Sequence, residues 1–150
     1  MSDEPRRPPL PWLLAELKEA TLAELHARLA EQGFREIREG HGCVFRFIDA
    51  EGCRLTDLAE RAGYTKQAVG EVVVDLEGLG YVERVADPLD KRAKIIRLTA
   101  RGRQAQQVAR RTFDDIEREL AERVGEERLA TVREVLEELV VLEAAPALPA

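Results

Sequence analysis

Residues 55–76 read LTDLAERAGYTKQAVGEVVVDL, and this stretch decides the fold. Two helices that cross steeply around a tight turn need a small residue at the crossing, and Ala59 supplies one. The turn needs a residue that tolerates positive φ, and Gly63 follows four positions later. The second helix must bury a branched apolar residue against the first, and Val69 sits in that register, with Leu58 and Val72 completing a small core. An ordinary helical hairpin with a glycine turn would show part of this pattern. The three spacings together favour a helix-turn-helix. Thr56 is expected to cap the first helix and Gly63 to stop it. Thr65 is expected to cap the second, which runs to about Leu79 and stops at Gly80.

Downstream, residues 81–86 and 94–98 read as two strands around the charged loop 87–93, DPLDKRA. A helix-turn-helix followed by a hairpin with a charged tip is a winged helix-turn-helix. Thr99 then caps a long helix to about Val124, Gly125 breaks it, and a last helix covers 127–144. Upstream, Leu14, Leu17, Leu25 and Leu29 mark a helix from Leu10 to about Gln32, ended by Gly33. A second short helix is expected over 40–50. The fold class is therefore mainly α (α+β): a winged helix-turn-helix with long N- and C-terminal dimerisation helices. The expected layout is a disordered tail over 1–9, N-terminal helices over 10–50, a DNA-binding lobe over 51–98, C-terminal helices over 99–144 and a frayed tail over 145–150.

The chain carries a net charge of −6, which at first argues against a nucleic-acid partner. The distribution qualifies this: residues 54–103 hold ten Lys/Arg against eight Asp/Glu, and the acidic excess lies in the flanking helices. A solvated surface could show the same mild balance. In a helix-turn-helix the second helix enters the major groove, about 12 Å wide, with its N-terminal half toward the bases. Thr65, Lys66 and Gln67 stand there, followed by Gly70 and Glu71. Gln67 can pair with adenine, Lys66 can reach guanine or a phosphate, and Thr65 can bind phosphate while capping. Capping alone would account for Thr65, and plain solvent exposure for the other two. Glu71 either accepts from cytosine N4 or points away. On the wing, Lys91 and Arg92 project beyond the strands, and an arginine suits a narrow A·T-rich minor groove. Asp90 is expected to pair with a neighbouring arginine and fix the tip.

The runs LTDLAERAGYTKQAV, DLEGLGYVER and DPLDKRAKIIRLTARG resemble the MarR family of bacterial transcriptional regulators. The resemblance is close over residues 55–102 and extends to the flanking helices in length and order. It implies an obligate homodimer on an inverted repeat in double-stranded DNA, and repression often relieved by a small-molecule effector or oxidant. It puts Thr65, Lys66 and Gln67 at base-reading positions and Arg92 at the minor-groove arginine. The stretch Gly70-Glu71-Val72-Val73-Val74-Asp75 departs from the family, which often carries an arginine near position 71. Affinity would then lean on Lys66, Arg84, Lys91 and Arg92.

The apolar faces of the first and last helices exceed what a small helix-turn-helix core can cover, which favours a partner copy over a monomer. The family precedent places an effector between the dimerisation helices and the DNA-binding lobe, making Trp12, His26, His41, Cys43, Phe45 and Phe47 candidate lining residues, although aromatics at helical spacing are more often core. Cys43 and Cys53 do not form a disulfide framework, and with the two histidines show no metal-ligand spacing. A redox role for either cysteine would need a lowered pKa. No cofactor is expected. The sequence lacks a phosphate-binding glycine loop, a nucleophile elbow and a metalloprotease signature, so no enzyme is expected. No apolar run approaches the roughly 20 residues of a membrane span, and no targeting signal is recognised, so the cytoplasm is expected. The remaining alternative is a winged-helix module for protein partners without DNA.

Overall fold

A computed structural model describes residues 7–144; most of the N-terminal tail and all of the tail 145–150 lie outside the described residues. The chain divides into two compact units, 1–112 and 113–150. The first holds α1 (Leu10–Glu31), a 3-10 turn (Glu39–His41), α2 (Gly42–Phe47), α3 (Leu55–Ala62), α4 (Lys66–Gly78), β1 (Val82–Ala86), β2 (Lys94–Leu98) and the start of α5 (Ala100–Val124). The second holds the rest of α5 and α6 (Glu126–Ala144).

Helices α3 and α4 form the expected pair. Leu58, Ala59 and Val69 are buried, and Gly63 closes α3 in the left-handed region at φ 70°. The α4 residues fully buried behind Val69 are Val73 and Leu76, whereas the expected Val72 is only half-buried. At about 3.6 residues per turn, positions four and seven beyond Val69 return to its face and position three falls to the side. The expected cap at Thr56 is also not found. Arg54 is the N-cap residue, its extended backbone (φ −72°, ψ 152°) starting α3 at Leu55, with no side-chain cap. Thr56 therefore lies in the first turn. Thr65 does cap α4: its Oγ1 accepts from the Ala68 N–H at 3.1 Å.

The short helix expected over 40–50 is split. A 3-10 turn precedes it, and the extended backbone of Ile48 (ψ 132°) ends it at Phe47.

β1 and β2 pair antiparallel from Val82↔Leu98 to Ala86↔Lys94. Cys53 adds a one-residue third strand, exchanging both backbone hydrogen bonds with Ile96 (3.0 and 2.9 Å). At the entry to α5, Thr99 donates from Oγ1 to Gly80 O (2.6 Å) and from its backbone N–H to Tyr81 O (3.0 Å). In turn its Oγ1 accepts from the Gly102 N–H at 3.1 Å. This knot anchors the helix to the foot of the wing.

In the second unit Gly125, at φ 96°, separates α5 from α6. No α6 residue is buried within the single chain, and Val132, Val135, Leu139, Val140 and Val141 are exposed. On α1, Leu13, Leu14 and Leu17 are likewise exposed. Among the described residues no helix is long and apolar enough to cross a membrane.

Candidate nucleic-acid interface

Burial of Val69, Val73 and Leu76 fixes the rotation of α4 and turns its other side outward. Thr65, Lys66, Gln67 and Glu71 are all exposed. Gly70 is half-buried, and a Cβ there would lie 3.5 Å from Leu55 Cδ2, an ordinary contact. Two large exposed hydrophobic side chains escaped the sequence reading. Tyr64, at 62% exposure, precedes the cap, and Val74, at 58%, extends the same side of the helix toward its C-terminus. Only the register of the buried row reveals Val74.

The C-terminal half of α4 is held from behind. His41 is buried, its Nδ1 accepting from the Arg38 backbone N–H at 3.0 Å. The proton must therefore sit on Nε2, which donates to Asp75 Oδ2 at 2.6 Å. Arg38 NH2 donates to the same oxygen at 2.6 Å. The His41 and Arg38 hydrogen bonds hold the Asp75 carboxyl below its ordinary pKa.

The wing is stiffened by a residue that the sequence reading did not single out. Asp87 is buried at the base of the loop. Its Oδ2 accepts from Arg54 Nε (3.0 Å) and NH2 (2.8 Å), and its Oδ1 from the Leu89 N–H (2.9 Å). The Leu89 backbone bond and then the Arg54 guanidinium lower the Asp87 pKa, and the same pair raises that of Arg54. The expected arginine clamp at Asp90 is the weaker contact. Asp90 Oδ2 is 3.9 Å from Arg54 NH2, while its Oδ1 accepts from the Arg92 backbone N–H at 3.1 Å. Both aspartates thus shape the tip, but Asp87 lies closer to Arg54 and takes its fork. No short-range signal marks this, because the partners are 33 positions apart.

At the tip, Lys91 and Arg92 are exposed, and their side chains make no hydrogen bond or ion pair among the described residues. Leu89 beside them is 95% exposed. Arg84 lies on β1 with its Nε 3.6 Å from Glu77 Oε2, so part of its charge is answered within the protein.

The candidate effector residues are dispersed. Trp12, 66% exposed, and the half-buried His26 lie on α1. Both ring nitrogens of His41 are engaged as above. Cys43 Sγ contacts Gly40 O at 3.3 Å, and burial pushes the Cys43 and Cys53 thiols up in pKa. Phe45 packs edge-on to Tyr81, with centroids 6.1 Å apart, and Phe47 carries the Arg46 guanidinium 4.9 Å from its ring centre. An open cleft of about 530 Å³, lined by Ala50, Glu51, Glu83, Arg97, Thr99, Ala100 and Arg103, includes none of these candidates. Among the described residues no three His, Cys, Asp or Glu side chains are placed to hold one metal ion.

The sequence profile of the MarR family matches residues 40–93. The transcriptional regulator HosA of Escherichia coli O111:H- is 35% identical over 109 residues, spanning 71% of this chain and 81% of that protein. Among solved structures, Streptococcus pneumoniae FabT in complex with DNA superposes with a TM-score of 0.75 at 20% identity, over 89% of this chain and 94% of that one. CouR from Rhodococcus jostii RHA1, bound to p-coumaroyl-CoA, gives 0.67 at 24% identity over 94% and 95%. At these identities the two structures establish the winged helix-turn-helix fold.

Proposed function

Because the chain belongs to the MarR family of transcriptional regulators, we propose that it binds an inverted repeat in double-stranded DNA as a homodimer and represses transcription until a small-molecule effector releases it. The observation that carries this reading is the pairing of two outward-facing elements in one unit. One is the capped, exposed N-terminal half of α4; the other is a wing whose tip is fixed by Asp87 and Arg54 and leaves Lys91 and Arg92 unpaired. In it Gln67 reads adenine, Lys66 reaches guanine or phosphate, Thr65, Arg84 and Lys91 bind phosphate, and Arg92 enters the minor groove. Gly70 lets the groove approach the helix.

The exposed apolar side chains of α6 and α1 support the homodimer, since a second copy would take them out of water. The similar fold of FabT was solved with DNA and that of CouR with p-coumaroyl-CoA, which supports a DNA partner and an effector here. The protein is read as cytoplasmic and as no enzyme.

The test is selection of binding sites from a random duplex library at about physiological salt, with the mass in solution followed by sedimentation. A dimer enriching an inverted repeat, half-site centres about 10 bp apart, is the expected result. A monomer, or a dimer that enriches nothing and binds DNA with no salt dependence, would refute it.

A further inference from the structure

Gln67 and Glu71 stand one turn apart on the exposed side of α4, and Val74 follows. The other acids along the C-terminal half of this helix are answered by cations: Asp75 by Arg38 and His41, and Glu77 by Arg84. The Glu71 side chain makes no hydrogen bond or ion pair among the described residues. The one acid in the middle of the reading side is therefore the one the protein leaves unpaired.

A bare carboxylate brought between two phosphate backbones is repelled by every sequence unless a base offers it a proton. In the major groove guanine presents N7 and O6 and thymine presents O4, all acceptors that oppose a carboxylate. Adenine has an N6 donor, but its N7 acceptor lies beside it. Cytosine offers an N4–H₂ donor with no acceptor of its own at that edge. An ionised carboxylate only accepts, so cytosine is the base it favours. We propose that Glu71 is a specificity-determining residue that selects a cytosine in each half-site, rejecting the other bases by repulsion rather than adding to affinity. Four residues of helix rise about 6 Å, close to two base steps of 3.4 Å, so the cytosine lies about two base pairs from the base read by Gln67.

This inference rests on the DNA-binding reading above, and the experiment separates the two. Site selection is run on the full chain as wild type, Glu71→Ala and Glu71→Gln, followed by titration of each protein against the best wild-type site and its single-base variants. Wild type should show one invariant cytosine and lose roughly tenfold or more on its replacement by thymine. Glu71→Ala should bind all duplexes more tightly and lose preference at that position alone. Glu71→Gln should move the preference toward adenine, because the amide can both donate and accept. If wild type enriches a repeat and Glu71→Ala enriches the identical one with affinity raised uniformly, Glu71 is a repelling charge without a base to read and the proposal fails by itself. If wild type enriches nothing, the DNA-binding reading fails and the proposal with it.

Discussion

Two helical glycines, Gly70 within α4 and Gly102 in the first turn of α5, should respond to alanine with opposite signs. Replacing glycine in a helix normally stabilises by about 0.5–1 kcal/mol, through propensity and the entropy of the unfolded chain. At Gly70 the added Cβ meets only Leu55 Cδ2, at 3.5 Å, so the full gain should appear. At Gly102 the added Cβ would overlap the Tyr81 carbonyl and press on Leu98 Cδ2 at 3.2 Å. That carbonyl cannot withdraw freely. It accepts from the Thr99 N–H, Thr99 Oγ1 is bonded to Gly80 O, and the Tyr81 ring is fully buried. Overpacking costs about 1–3 kcal/mol and each hydrogen bond surrendered about 1 kcal/mol more. After the propensity gain, Gly102→Ala should destabilise by about 2–4 kcal/mol. At about 2–4 °C per kcal/mol for a chain of this size, Tm should fall by roughly 5–15 °C, while Gly70→Ala raises it by a few degrees. Melting followed by far-UV circular dichroism at one fixed protein concentration measures both, concentration being held because a dimer's stability depends on it. A Gly102→Ala protein melting at or above Gly70→Ala would refute the close approach of α5 to the foot of the wing.

Acid should act on the two aspartates that bind across the fold. Asp75 is lowered first by its hydrogen bond from His41, and Asp87 first by the Leu89 N–H. A carboxyl depressed in the folded state stabilises fully above its unfolded pKa of about 3.9 and loses that contribution as pH falls through the lower folded value. Tm should therefore drop with acid below about pH 4 more steeply in wild type than in Asp75→Asn/Asp87→Asn, and equal slopes would refute the assignment. The cysteines should be inert: burial raises both thiols, so iodoacetamide at neutral pH should modify native Cys43 and Cys53 more slowly than a free thiol and leave DNA binding unchanged. Rapid modification of either thiol would refute this.

The helix-turn-helix was legible because its determinants are local. Ala59, Gly63 and Val69 lie within eleven consecutive residues, and their spacing constrains one turn and one crossing. Caps were legible only where a single hydroxyl decides the matter. Thr65 and Thr99 each accept from an N–H three residues on, whereas Thr56 shows the same residue type two positions too late. What stayed hidden depends on contacts between distant positions. His41 read as a binding-site candidate, yet its partner on α4 is 34 positions away, and Asp87 read only as part of the charged loop, with Arg54 33 positions upstream. Cys53 showed no strand pattern, because a one-residue bridge to Ile96 has no periodicity to display.

These same distant contacts decide which charges of the DNA-binding lobe remain free. Counting charges over residues 54–103 gives a near balance, and pairing leaves that balance small while deciding which charges stay free. Asp75, Glu77, Glu83 and Asp87 are bound to Arg38, Arg84, Arg97 and Arg54, and each such pair is close to neutral at a distance. Lys66, Lys91, Arg92 and Lys94 have no acidic partner among the described residues and keep their full charge, as Glu71 keeps its opposite one. The pairing that neutralises the acids also fixes the geometry. Arg54 starts α3 and holds Asp87, so the start of the helix-turn-helix and the base of the wing tip are joined by one guanidinium. Two reading elements joined in advance lose less freedom on meeting DNA than two that must be ordered in the complex. Cutting this link should therefore weaken binding to every sequence, whereas a change at a base-reading side chain should alter the choice among sequences.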